Sequence, residues 1–301
     1  MKKQRDCLTI GLSPALQKTL IFENFQIDEV NRSTYCYTDA AGKCINTCRV
    51  LIQGGAAAAC LTIAGKDNRA EFEALCLRDS IDITTILTSG RVRTCTTILD
   101  ENSGSCTELV ADEPEPVTGA EEEAFRSVFL EKIREGFGAA VISGSRLKGF
   151  SAEIIPFMVK NIKQRDMLLF SDYRGADLRS SFISEELRPD YVKINEQEFF
   201  ESFGAFADIE TGIGQMSLKY SSVFIISRGA GSTLAADNGS VQEIESRRIS
   251  ALNPTGSGDS MMAGIVQGIL EGLPLQQAVE KGRDYGSRNA LSVHPGWILE
   301  D

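Results

Sequence analysis

Apolar residues fall along this chain in short unbroken runs, separated by longer segments whose apolar positions recur with a helical period. Cys7-Leu8-Thr9-Ile10-Gly11-Leu12 reads as a buried strand ended by Ser13-Pro14, and Ala57 to Ala64 as another. Thr19 to Asn24 and Asn31 to Thr38 are two further strand candidates around a turn near Asp28-Glu29. Ile45, Cys48, Leu51 and Ile52 mark one face of a helix stopped by Gly54-Gly55, and Asp67 or Asn68 caps a second that runs to about Asp79. From Arg91 to Val110 the period changes to two: Val92, Thr94, Thr96 and Ile98 alternate with their neighbours, Glu101 to Gly104 turns, and Ser105 to Val110 returns. That hairpin and the early strand pair, about 18–38 and 91–111, predict a small sheet standing off the main body. Asp112 to Pro116 reads as an acidic linker into a helix.

Beyond the linker the chain alternates regularly. Strands are predicted over 139–142, 167–170, 191–194, 222–227 and 232–236, the last pair joined by an Asp237-Asn238-Gly239 hairpin turn. Helices are predicted over 151–162 and 176–183, from Glu196, after Gly258, and over 275–292. Alternation of this length predicts an α/β fold: a mostly parallel sheet with helices on both faces and ligands at the carboxyl ends of its strands. The length of 301 residues suffices for one large α/β domain or two small ones.

Composition narrows the function. A net charge of −11 over 301 residues argues against a nucleic-acid partner, although a local basic site for an anionic metabolite remains compatible with it. No apolar run is long enough to cross a membrane, and the basic opening Met1 to Arg5 leads into a strand rather than a secretory core, so a cytoplasmic protein is expected. The 8 cysteines all lie between Cys7 and Cys106 without CxxC pairs, which reads as free thiols; Cys95 and Cys106 could face each other across the hairpin. The single histidine, His294, precedes Pro-Gly and reads as a turn residue.

Three turns carry candidate chemistry. Asn253-Pro-Thr-Gly-Ser-Gly-Asp-Ser260 runs straight into the apolar segment Met261 to Val266, a glycine-rich loop feeding a helix N-terminus, where unpaired amides and the helix dipole hold anions. A carboxylate there, Asp259, is either the helix cap or a base that takes a proton during phosphoryl transfer. Gly256-x-Gly258-x-x-Met261 lacks the last glycine of a dinucleotide fingerprint, and neither Gly42-Lys43 nor Gly65-Lys66 makes a Walker loop. Asp39 to Asn46 is an ordinary helix start or a sugar site, with Gly42 permitting close approach and Asn46 offering donor and acceptor to hydroxyls. In Lys193-Ile-Asn-Glu-Gln-Glu198, Asn195 and Glu198 form a capping box or present oxygens to a hydrated Mg²⁺.

Together these residues resemble the ribokinase-like carbohydrate kinases of the phosphofructokinase B (PfkB) type, over nearly the whole chain. Asn253 to Val266 is similar to that family's C-terminal signature, Asp39 to Asn46 to the Asp-x-Gly-Gly-Lys-Gly-Ile-Asn turn of its 1-phosphofructokinase and tagatose-6-phosphate kinase branch, and Ser13-Pro-Ala-Leu16 to its Asn-Pro-Ala-Leu-Asp opening. The resemblance implies a three-layer ribokinase-like fold and transfer of the ATP γ-phosphate to a hydroxyl of a ketohexose phosphate. It makes Asp259 the base and Gly256, Ser257 and Gly258 the anion hole. Gln17, Arg32, Gly42, Lys43, Asn46, Arg93 and Ser145 fall on the sugar side, with Arg93 on the phosphate the sugar already carries; a plain surface arginine is the other reading. Lys193, Asn195, Ser227, Gly229, Gly231 and Asn289 fall on the nucleotide side, and Glu198 reaches Mg²⁺ through water. One domain over 1–301 is implied too, with the small sheet of about 18–38 and 91–111 as a discontinuous β lid and homodimer contact. Gln17 replaces the family's sugar-holding aspartate, Cys44 a glycine, and Arg146-Leu-Lys148 the usual Leu-Pro, so a free sugar or a nucleoside stays open as substrate, as does a sugar-phosphate-binding protein with little activity.

Overall fold

The computed structural model describes residues 5–110, 115–245 and 249–299; residues 112–114 of the expected linker and the lid's last residue, 111, lie outside them. In chain order the elements are β1 (Arg5–Ile10), β2 (Ala15–Phe22), β3 (Tyr35–Ala41), α1 (Lys43–Gln53), β4 (Ala58–Gly65), α2 (Arg69–Arg78), β5 (Asp82–Thr88), β6 (Arg93–Asp100) and β7 (Ser105–Val110). There follow α3 (Gly119–Lys132), β8 (Phe137–Ser143), α4 (Ile154–Lys163), β9 (Leu168–Asp172), α5 (Gly175–Ser180), β10 (Tyr191–Asn195), α6 (Glu196–Phe203) and α7 (Ile209–Tyr220). The last are β11 (Val223–Ser227), β12 (Thr233–Asp237), β13 (Ser240–Ile244), α8 (Ser257–Leu270) and α9 (Leu275–Asn289).

A nine-stranded sheet runs β13-β12-β11-β10-β9-β8-β1-β4-β5. Its strands pair in parallel except around β12, which is antiparallel to both neighbours. The two-residue period sorts its side chains into two cores. Leu8, Ile10, Ala140, Ile142, Leu169, Phe224 and Ile226 point to one face, against Phe125 and Phe129 of α3, Met158 of α4, Phe199 of α6 and Ile213 of α7. Cys7, Ala139, Val141, Phe170 and Ile225 point to the other, against Val50 and Leu51 of α1, Met262 and Ile265 of α8 and Val279 of α9. Each buried Leu, Ile, Val, Phe or Met side chain among them contributes about 1.5–3 kcal/mol, which is why continuous apolar runs form strands covered on both faces. Helices α8 and α9 approach backbone to backbone: a Cβ on Gly264 would lie 2.7 Å from the Cα of Gly282.

β2, β3, β6 and β7 form the second sheet, in the order β3-β2-β6-β7. Its inner face carries Gln17, Thr19, Cys95 and Thr97, all buried. Strand order reverses at β1, with β4 and β5 on one side and β8 onward on the other, so a crevice opens at the carboxyl ends of β1 and β8.

Several boundaries differ from the sequence reading. The segment expected as a strand over 31–38 begins only at Tyr35 and continues through Asp39 to Ala41, so the turn into α1 shrinks to Gly42, whose φ of 106° suits glycine. β5, absent from the reading, is a half-exposed edge strand with no clean alternation. The helix expected from Glu196 is two helices, α6 and α7, parted after Gly204. Cys95 and Cys106 do not face each other: Cys95 pairs with Val110 and Cys106 with Leu99, because Asp100 and Ser105 close the turn. All eight cysteines are free.

Candidate active site

The loop before α8 is held open by its own backing. Gly256 adopts φ 83°, and a Cβ there would lie 2.6 Å from the Gly296 amide nitrogen, so neither its conformation nor its space admits a side chain. Ser257, Gly258 and Asp259 form the first turn of α8, where the amides of Gly258 and Asp259 have no intrahelical acceptor. Asp259 is not the cap. Gly256 holds that position, and the Asp259 carboxylate instead accepts a 2.8 Å hydrogen bond from Asn46 Nδ2 on α1. It is 7% exposed; burial above all, and then the Asp172 charge, push its carboxyl up to about 6 against the pull of Lys43, Asn46 and Lys193.

Two ammonium groups converge on this turn. Lys193, near the end of β10, is buried, and its Nζ lies 3.0 Å from where a Gly258 Cβ would stand. Lys43 opens α1. Between them Asp172, at the carboxyl end of β9 and 1% exposed, meets Lys43 Nζ at 2.7 Å and Lys193 Nζ at 3.4 Å. Burial opposes its charge, yet Lys193 and Lys43 together hold its carboxyl below the usual range. Burial likewise works against the Lys43 ammonium, but Asp172, Glu198 and Asp259 outweigh it and raise its pKa. Fixed positive charge beside a helix N-terminus makes a seat for phosphate.

Asn195 and Glu198 form a complete capping box on α6: Asn195 Oδ1 accepts from the Glu198 amide at 2.8 Å and Glu198 Oε2 from the Asn195 amide at 3.0 Å. The second carboxylate oxygen, Oε1, lies 3.6 Å from Lys43 Nζ. Among the described residues no group of three or more His, Cys, Asp or Glu gathers as a metal cage.

On the lid side Gln17 is 3% exposed and donates to Thr97 Oγ1 at 2.9 Å; that hydroxyl lies 3.5 Å from Thr255 Oγ1 in the anion loop. The lid therefore touches the loop that carries Asp259. Arg93 begins β6 and lines a small recess together with Ser13, Thr88, Ser89 and Arg91. Ser145 is exposed just past β8, after Gly144, which packs against Lys43. Arg32 is exposed in irregular backbone before β3, not on a strand as the sequence reading had it. Ser227, Gly229 and Gly231 lie at the carboxyl end of β11, in the turn into β12.

Asn289, expected on the nucleotide side, is fully buried and spent internally. Its Oδ1 accepts from the amides of Gly296 at 2.6 Å and Trp297 at 3.1 Å, and its Nδ2 donates to Thr255 O at 2.9 Å and Ser257 Oγ at 3.0 Å. It props the anion loop from behind.

The sequence matches the pfkB family carbohydrate kinase profile over residues 16–295. The chain belongs to that family. A tagatose-6-phosphate kinase of Staphylococcus epidermidis is 27% identical over 299 residues, covering 98% of this chain and 95% of that protein. Phosphofructokinase-2 from Escherichia coli in complex with fructose-6-phosphate is similar in fold, with a TM-score of 0.82 at 18% identity over 96% of this chain and 94% of that one. The "Possible 1-phosphofructokinase" of Thermotoga maritima gives 0.85 at 20% identity, over 96% and 93%.

This pfkB-family kinase is thus a phosphotransferase with an alcohol group as acceptor. Three parts of its site escaped sequence reading. Asp172 ends the buried run Leu168-Leu-Phe-Ser171, and a carboxylate at the carboxyl end of such a strand was the available signal. Thr97 and Thr255 join through a contact between segments 158 residues apart, which no local pattern marks. Arg49 sits on α1 among apolar neighbours yet is 1% exposed.

Proposed function

We propose that this kinase transfers the γ-phosphate of ATP to a hydroxyl of a ketohexose phosphate such as fructose 1-phosphate, fructose 6-phosphate or tagatose 6-phosphate. The observation that carries the reading is the buried Asp259 carboxyl, raised to about 6, bonded by Asn46 and flanked by Lys43 and Lys193 at the open end of α8. At neutral pH Asp259 is ionised and accepts the proton of the attacking hydroxyl. The new O–P bond forms on that oxygen as the bond to the ADP oxygen breaks. The amides of Gly258 and Asp259 and the two ammonium groups neutralise the charge of the moving phosphoryl group, and donors of this kind are worth about 2.7–4 kcal/mol each.

Nucleotide would lie along the carboxyl ends of β10 and β11, over Asn195, Ser227, Gly229 and Gly231. Mg²⁺ ordinarily takes one or two carboxylates and fills its shell with phosphate oxygens and waters, a demand that Glu198 Oε1, unused by the cap, can meet. When bound, the ion supplies charge neutralisation on the transferred phosphate. The sugar would occupy the crevice over Gly42, Lys43 and Asn46, with its own phosphate toward Arg93 and the adjoining recess. The whole chain would serve as one kinase domain with the small sheet as its lid. The lid's outer face would form a homodimer contact, since Leu20 there lies between Cys36 and Ile98 and the neighbouring Leu109 is 53% exposed.

A coupled assay of ATP turnover across sugars with and without phosphate tests this reading. Turnover of a ketohexose phosphate is expected. Turnover confined to free sugars or nucleosides would replace it, and tight sugar-phosphate binding without turnover would make the protein a binding module.

A further inference from the structure

Asn46 can help Asp259 only if its amide faces the right way. An asparagine amide is nearly symmetric in shape, and its oxygen would repel the carboxylate that its nitrogen stabilises. Arg49, one helical turn on, resolves that choice. Its Nη1 donates to Asn46 Oδ1 at 3.2 Å and to Pro295 O at 3.0 Å, its Nη2 donates to Ala40 O, and its Nε to Asp79 Oδ2 at 2.8 Å. A guanidinium has five donors and no acceptor, so it tolerates only the oxygen end of the amide and leaves Nδ2 for Asp259.

A buried ion pair is weak evidence of a stabilising role, because desolvation costs several kcal/mol and apolar replacements are often as stable. Here the arginine joins the end of β3 at Ala40, the C-terminal turn at Pro295 and the amide on the catalytic carboxylate. We propose that Arg49 is a positioning residue: it fixes the Asn46 amide with its nitrogen on Asp259 and so keeps the carboxylate oriented to receive the substrate proton. The inference rests on the reading of Asp259 as the base. Lys43, Lys193 and Asp172 face Asp259, and Asp79, Asp39, Cys48 and Cys76 face Arg49, with Arg78 on the far side of Asp79.

The test is the pH profile of kcat/KM for Arg49→Met and Arg49→Lys, each checked by circular dichroism. The Lys variant keeps the charge but cannot span these acceptors, and it carries the test if the Met variant does not fold. Losing the oriented amide raises the Asp259 pKa, so the acid limb should move up by about one pH unit. KM for ATP should stay unchanged. A uniform fall in kcat with the limb unmoved is the signature of a structural role alone and overturns the proposal. In an Asn46→Ala background Arg49→Lys should move the limb no further, and an additional shift would show that the effect bypasses Asn46. Asp259→Asn separates the two readings: if it turns over normally the base assignment itself fails, whereas its loss of turnover together with an unmoved limb in the Arg49 variants removes only the role of Arg49.

Discussion

The carboxyl edge of the nine-stranded sheet and the inner face of the lid sheet meet between Thr255 and Thr97, yet they are built in opposite ways. At the sheet edge each charged group has a partner from another element: Asp259 on α8 with Asn46 on α1, Asp172 on β9 with Lys43 on α1 and Lys193 on β10. On the proposed reading such a centre would enter the reaction with its charges already placed, leaving little reorganisation for the transition state. The lid is sparer. Gln17 and Thr97 bond across its inner face, while Leu109, Ile27 and Val30 stand 53%, 82% and 81% exposed on it or in its loop. The difference is one of construction: the sheet edge holds its charged groups in pairs drawn from several elements, and the small sheet leaves apolar side chains exposed.

The largest expected effect falls on the locked side. Asp259→Asn should lower kcat by about 10²–10⁴ while circular dichroism stays that of the native protein; near-normal turnover would make the edge and the lid alike in being non-catalytic. On the lid side, Arg93→Ala should raise KM for a phosphorylated sugar by roughly 10–100-fold with kcat little changed, the pattern of lost uniform binding. An unchanged KM would move the sugar's phosphate away from the recess.

The pH profile sharpens the same contrast. Because burial lifts the Asp259 carboxyl to about 6, its ionised form is present above that pH and is lost as pH falls through it. kcat/KM should therefore drop about tenfold per pH unit below 6. An acid limb near 4 would mean an ordinary, solvated carboxyl. The smallest effect belongs to the outer lid: Leu20→Lys or Leu109→Lys should shift a dimer toward monomer in light-scattering mass, with the acid limb unmoved. A mass that does not respond would take the lid out of the association contact.

What the sequence carried, and what it did not, follows the same division. The anion loop was legible because Gly256 to Asp259 must be contiguous to build a helix start, and the Asn195–Glu198 box because capping is local by nature. The parallel sheet was legible from unbroken apolar runs. Arg49 and Asp172 were not, since their meaning lies in partners across the fold: Arg49 reads as a polar helix position until Asp79 and Pro295 are brought to it. The bonds of Asn289 were illegible for the matching reason: only the docked turn at 296–297 shows its amide oxygen engaged. β5 lacked the alternation that marks a half-buried strand because, at the end of the strand order, both of its faces are partly exposed.

The turn behind Gly256 has one more consequence, for the order in which the protein can be made. Gly296 packs against Asn46, Ile298 donates to Gln53 at 2.8 Å, and Arg49 reaches Pro295 across 246 residues of chain. At translation rates of about 5–20 residues per second, α1 leaves the ribosome roughly 10–50 s before the segment that completes its site. A nascent chain can bury its central strands in that interval, but it cannot yet present an oriented Asp259.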